Sequence, residues 1–207
     1  MSDISHTTLS SNSLDEAADV FALAFENDPF IRYVLSHHGD AFLSKARELF
    51  RFTCEVRLDM GQPVIGTRDG ERLTAVACIT EPGEEGWPAS FSEKVKRFNA
   101  SIGPESAGRL ERYSKLGKQY IPEEPHYHLI AIGAHPEYKG RGLGGALLEA
   151  VSEMSASHPE STGIRLECTN PVNIPLYEYF GYHQVAKEKL DGAIDLWYMF
   201  RPDRNEN

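Results

Sequence analysis

HLIAIGAHPEYKGRGLGGALLEAV, residues His128 to Val151, decides how the rest of the chain is read. It opens as a β-branched extended run, turns at Pro136, passes through four glycines (Gly140, Gly142, Gly144 and Gly145) and continues as an amphipathic helical pattern. A glycine-rich turn that opens a helix brings bare backbone N–H groups and the positive end of the helix dipole to one point. That arrangement suits a phosphate or pyrophosphate.

Two phosphate sites with known letters can be tested here. Gly140-x-Gly142-x-x-Gly145 satisfies the dinucleotide fingerprint, and Glu167 lies about 20 residues on, where a ribose-binding acid belongs. In that unit the first glycine follows the strand almost directly, whereas six residues intervene here, Ala134 to Lys139, with a proline among them. The motif also begins two-thirds of the way along the chain, leaving about 60 residues for a sheet that needs more strand–helix units. A dinucleotide oxidoreductase is therefore a distant reading. A P-loop fails because no Lys-Ser or Lys-Thr follows the glycines.

Working outward, the 207 residues are 41% hydrophobic and 25% charged, ordinary for one α/β domain spanning residues 1–207. A net charge of −10 argues against a nucleic-acid partner, which needs a basic surface, and leaves room for a cationic substrate. The first dozen residues, MSDISHTTLSSN, lack the pattern of a signal peptide and are expected to be flexible. No apolar run approaches the roughly 20 residues of a membrane span. The expected location is the cytoplasm. Cys54, Cys78 and Cys168 show no disulfide or metal spacing and are expected to be buried thiols, with no metal site.

Ser13-Leu14-Asp15-Glu16 reads as a capping box for a helix carrying Leu14 to Phe25, stopped by Asn27-Asp28-Pro29. A second helix is expected from Asp40 towards Gly61, and PVIGTR, Asp69-Gly70 and RLTAVACIT form a hairpin. EPGEEGWPAS is a loop, and residues 90–118 are helical in two pieces, the second starting near Pro104. Residues 81–125 are the segment able to wall a substrate pocket, with Trp87, Phe91, Phe98, Tyr113 and Tyr120 as aromatic lining or as ordinary core. Glu84, Glu85, Glu123 and Glu124 either attract a cationic amine or sit in water. The strand His126 to Ala134, the helix Gly142 to Ser157 and the strand Gly163 to Cys168 then form a parallel unit. A short helix, Val172 to Phe180, and a hairpin around Asp191-Gly192 close the chain.

The turn and Lys139-Gly140-Arg141-Gly142-Leu143-Gly144 resemble the pyrophosphate signature of the acetyl-CoA-dependent N-acetyltransferase superfamily, the GNAT family, with Lys139 where glutamine or arginine is usual. Asn170 to Tyr182, NPVNIPLYEYFGY, resembles the family's second signature. The resemblance covers roughly residues 60–200, and HYHL, LEC, NIPLYE and WYMFRPD look closest to the puromycin N-acetyltransferase-like branch. It implies a single-domain mixed, twisted sheet with helices on both faces and two strands splayed at the CoA site. It also implies acetyl-CoA as co-substrate and a small-molecule primary amine as acceptor.

On that resemblance, Lys139, Gly140, Arg141, Gly142, Leu143, Gly144 and Gly145 cradle the pyrophosphate, the N–H groups of Arg141 to Gly145 facing it. Ile132 and Ala134 exchange backbone hydrogen bonds with the pantetheine arm. Asn173 bonds the pantetheine amide or caps its helix. Tyr177, one turn on, is the expected proton donor to the leaving thiolate, its phenol remaining protonated at neutral pH. Glu167 and His128 are the candidate general bases, with a water relay as the alternative. A non-catalytic acyl-CoA-binding module is the rival from another class, and a monomer and a homodimer are both compatible with the pattern.

Overall fold

The computed structural model describes residues 5–83 and 88–203. Glu84, Glu85 and Trp87, considered above for an acceptor pocket, lie outside them. Seven strands form one sheet in the order β1-β2-β3-β4-β5-β7-β6: β1 His6–Thr8, β2 Val64–Asp69, β3 Arg72–Thr80, β4 Tyr127–Ala134, β5 Gly163–Cys168, β6 His183–Leu190 and β7 Ile194–Pro202. Only β4 and β5 run parallel; every other neighbouring pair is antiparallel. Among the described residues the α-helices are α1 Leu14–Ala24, α2 Pro29–Val34, α3 Phe42–Asp59, α4 Ser92–Gly117, α5 Leu143–Ser157 and α6 Ile174–Tyr179. No helix among the described residues is long and apolar enough to cross a membrane.

Alternation along the strands divides the core. Val64, Val76 and Cys78 face one way with Phe21, Val34, Phe50 and Ile102 of α1 to α4. Ile65, Ala77 and Ile79 face the other way with Leu147, Leu148 and Val151 of α5. Both faces of the middle of the sheet are covered, so β3 is buried on both sides, whereas the edge strands β1 and β6 stay largely exposed. The three cysteines are free and buried, as expected.

Several local expectations change. The N-terminal dozen is not wholly flexible, because His6, Thr7 and Thr8 pair with Thr67, Gly66 and Ile65. Asn27-Asp28-Pro29 both ends α1 and starts α2: the Asp28 carboxylate accepts from the N–H groups of Phe30 and Ile31, each at 3.0 Å, and Pro29 occupies the first turn. The capping box at Ser13 does not form, since Ser13 makes no side-chain cap bond. Glu16 instead accepts from Leu73 N–H at 2.6 Å and pairs with Arg68 at 3.0 Å, tying α1 to the sheet. Helix α4 turns at Gly103, φ 82°, just before Pro104. The second hairpin turn, Asp191-Gly192, is anchored by Asp191 to Arg112 of α4 at 2.7 Å and to the Tyr33 hydroxyl of α2.

Candidate active site

The register between β4 and β5 makes the site. Tyr127, His128 and Leu129 pair with Ile164, Arg165 and Leu166, and there the pairing ends although both strands continue. From Ile130 to Ala134, β4 is held on its other side alone, with Ile132 opposite Ala77 and Ala134 opposite Ala75. The strands are therefore splayed, as the resemblance implied.

The glycine loop sits beyond the end of β4. Ala134 still belongs to β4, so five residues, His135 to Lys139, separate the strand from Gly140, and Pro136–Tyr138 among them form one 3-10 turn. Gly140 and Gly142 each have φ 80°, a left-handed backbone that L side chains rarely adopt, and Gly142 is the N-cap of α5. The N–H groups of Gly142, Leu143, Gly144 and Gly145 have no backbone acceptor among the described residues, whereas Arg141 N–H reaches the Tyr138 carbonyl at 3.4 Å. The N–H groups left open at the start of α5 are thus those of Gly142 to Gly145, while that of Arg141 turns towards Tyr138. The Arg141 guanidinium lies over the Tyr138 ring, 4.6 Å from its centroid. The Leu143 side chain is buried in the core under α5.

The glycines differ in what they leave open. A Cβ on Gly145 would lie 3.1 Å from Phe180 Cζ, so this glycine serves the packing of α5 on the α6 segment. A Cβ on Gly144 would meet nothing within 4 Å. Gly144→Ala is therefore expected to raise stability by roughly 0.5–1 kcal/mol through lower backbone entropy. The same methyl intrudes where a pyrophosphate would approach. Titration calorimetry should show acetyl-CoA binding weakened at least fivefold while the thermal midpoint rises.

A cavity of about 700 Å³ lies between the sheet and α2, α3 and α4, and runs to the start of α6. It brings together His128, Ile132, Glu167, Asn173 and Tyr177. Glu167 is 7% exposed in its side chain; its Oε2 accepts from His128 Nε2 at 2.7 Å and its Oε1 from Arg165 at 2.5 Å. Arg165 Nε also donates to His126 Nε2 at 3.0 Å, and His126 Nδ1 donates to the Glu124 carbonyl at 2.7 Å. A continuous chain of polar contacts therefore runs from the Glu124 carbonyl to His128. His126 alternates with His128 at the start of β4, while Arg165 is the member the sequence reading passes over; its alternation with Glu167 in an otherwise apolar strand is the available signal.

Tyr177 is 9% exposed and lines the cavity, and burial pushes its phenol well above the ordinary tyrosine value, with Cys168, Tyr182 and Asp28 acting in the same direction. Cys168, whose thiol donates to the Asn170 carbonyl at 3.1 Å, is raised to about 11 by burial. Asn173 stands at the N-cap position of α6 without a side-chain cap bond, while Asn170 caps the turn before it. Asn173 therefore does not cap its helix, and the residue lines the cavity.

Of the 81–125 segment, Leu110, Tyr113, Ser114, Gly117, Lys118 and Ile121 line the cavity. Phe98 stacks on Phe52 at 4.0 Å and Tyr120 on Tyr198 at 4.2 Å, so both are structural. Glu123 and Glu124 are not part of the lining. Among the described residues no group of three or more His, Cys, Asp or Glu side chains could hold a metal ion.

The model of the Acetyltransferase (GNAT) family matches residues 64–182, and the chain belongs to that family. Acetyl-CoA is the family's co-substrate, and the dinucleotide reading of the glycines falls with this result. The chain is 30% identical over 171 residues, 74% of its length, to a probable serine/threonine-protein kinase of Dictyostelium discoideum, of whose length it spans 18%. It is 26% identical over 120 residues to the N-alpha-acetyltransferase RimI of Mycobacterium tuberculosis, covering 57% of this chain and 75% of that one. Among solved structures it is similar to histone acetyltransferase HPA2 and related acetyltransferase from Corynebacterium glutamicum, with TM-score 0.70, 21% identity and 99% of each chain covered. At that identity the likeness shows the fold.

Proposed function

We propose that the chain transfers the acetyl group of acetyl-CoA to the primary amine of a small molecule. The observation that carries this is the shared cavity: a protonated phenol, Tyr177, and the His128–Glu167 pair face one space beside the strand gap. Acetyl-CoA supplies a thioester carbonyl and a thiolate leaving group. Lys139 and the N–H groups of Gly142 to Gly145 offer its pyrophosphate a positive cradle, with Gly140 shaping the turn. The unpaired edge of β4 at Ile132 and Ala134, together with the Asn173 amide, suits the pantetheine arm. A strand N–H at the same edge can steady the carbonyl oxygen as charge develops.

His128 takes the proton that the amine loses as its nitrogen bonds to the carbonyl carbon. Glu167 is a positioning residue, because both of its oxygens already accept hydrogen bonds and it orients the imidazole. Tyr177 returns a proton to the thiolate as the carbon–sulfur bond breaks. Within the family we place the chain in the puromycin N-acetyltransferase-like branch, on HYHL, LEC, NIPLYE and WYMFRPD. Following free-thiol release from acetyl-CoA across aminonucleosides, aminoglycosides, polyamines, amino acids and peptide N-termini tests the activity. At least one class is expected to give amine-dependent release; tight acetyl-CoA binding with no release by any class would make the protein a non-catalytic acyl-CoA-binding module.

A further inference from the structure

The charged side chains lining the cavity are Asp28, Arg57, Lys118, Arg165 and Glu167, with His128 beside them. Most are matched within the protein. Asp28 accepts from two backbone N–H groups and from the Thr169 hydroxyl at 3.2 Å. Arg165 and Glu167 hold each other and the flanking histidines. Lys118 is exposed. Arg57 stands apart: it is part-buried, and among the described residues its guanidinium has no hydrogen-bond or ion-pair partner, with Nε buried and unsatisfied.

Arg32, Arg97 and Arg141 also hold no carboxylate of the protein, but all three are exposed, so among the described residues Arg57 is the part-buried arginine left without one. Arg47, Arg51, Arg68, Arg72, Arg109 and Arg112 each hold a carboxylate of the protein itself. Arg57 belongs to the last turn of α3, where a cation complements the helix dipole, but a head group turned to water would do that equally well. Burying a guanidinium donor without an acceptor costs free energy, which a bound anion offsets. The planar guanidinium fork matches a carboxylate in shape, and Leu49, Phe50 and Met60 give the same cavity apolar wall.

We infer that Arg57 binds a carboxylate on the acceptor, which is therefore a primary amine joined to a carboxylate by an apolar body. This rests on the reading of the cavity as the acceptor site. Binding can be measured without chemistry, by titration calorimetry of the apo protein with 3-phenylpropanoate, 4-phenylbutanoate and benzoate beside the matching neutral amides. At least one acid is expected to bind ten times more tightly than its amide. Arg57→Met should abolish that difference while acetyl-CoA affinity stays within twofold.

Without ligand, Arg57→Met should melt at or above the wild-type midpoint, since it removes an unsatisfied buried donor; a merely structural arginine would give a lower midpoint. In thiol-release assays, 4-(2-aminoethyl)benzoate should exceed its neutral amide, 4-(2-aminoethyl)benzamide, at least tenfold in kcat/KM, and Arg57→Met should equalise the two. Equal binding of acids and amides by the wild type, or acid binding indifferent to Arg57→Met, overturns the inference. Acid binding through Arg57 with no thiol release by any amine leaves the carboxylate site standing and removes the transferase reading instead.

Discussion

Tyr177→Phe is expected to lower kcat about a hundredfold, the lower end of what a positioned proton donor contributes. The ring should stay where it is: it packs edge-on against Tyr182 with centroids 5.8 Å apart, and phenylalanine keeps that contact. KM for acetyl-CoA should therefore stay within twofold, and steady-state kinetics with thiol detection reads both quantities. Unchanged turnover would remove Tyr177 from the mechanism.

The pH response follows from the direction of the shift. Burial raises the Tyr177 phenol above its unfolded value near 10, so the folded protein holds this proton more tightly than the unfolded chain. The resulting stability is full below the unfolded value and is lost as pH climbs from there towards the folded one. Across the range in which the acceptor amine deprotonates, the donor remains loaded, and the wild-type rate should show no downturn at the ordinary tyrosine value.

The second large effect belongs to His128. Its Ala variant should lose about a hundredfold in kcat and with it the acidic limb of the rate profile, the signature of a lost general base. Glu167→Gln should cost roughly tenfold, within the range of indirect effects on a positioned base, and should move that limb to lower pH. The reason is electrostatic: a carboxylate 2.7 Å from the imidazole favours its protonated form, and an amide does not. A kcat loss in Glu167→Gln with an unmoved limb would make Glu167 structural. A flat response of both variants excludes direct catalysis by either residue and leaves a water relay.

What could be read from the chain alone was what local chemistry dictates. Asp69-Gly70 and Asp191-Gly192 turn hairpins, the break at Gly103-Pro104 divides α4, and Gly140 and Gly142 turn the chain into α5. The errors arose where a distant partner outbid a local one. Glu16 leaves the capping box for Leu73 and Arg68 on the sheet, and the three residues of β1 become a strand only because β2 offers an edge. Asp28-Pro29 carries opposite meanings at once, stopping α1 and capping α2. In the site, Tyr177, His128 and Glu167 stood in recognisable signatures or strand ends, while Arg57 looked like any cation in a final helical turn. Its isolation exists in three dimensions only.

The parting of β4 and β5 divides the sheet into two leaves, β1-β2-β3-β4 and β5-β7-β6, stitched within the sheet at three residue pairs. His128 belongs to one leaf and Arg165 and Glu167 to the other, directly at the fork. The 2.7 Å contact of His128 with Glu167 therefore bridges the joint itself. A molecule entering between the leaves meets that contact at the joint, with His128 on one side of it and Glu167 on the other.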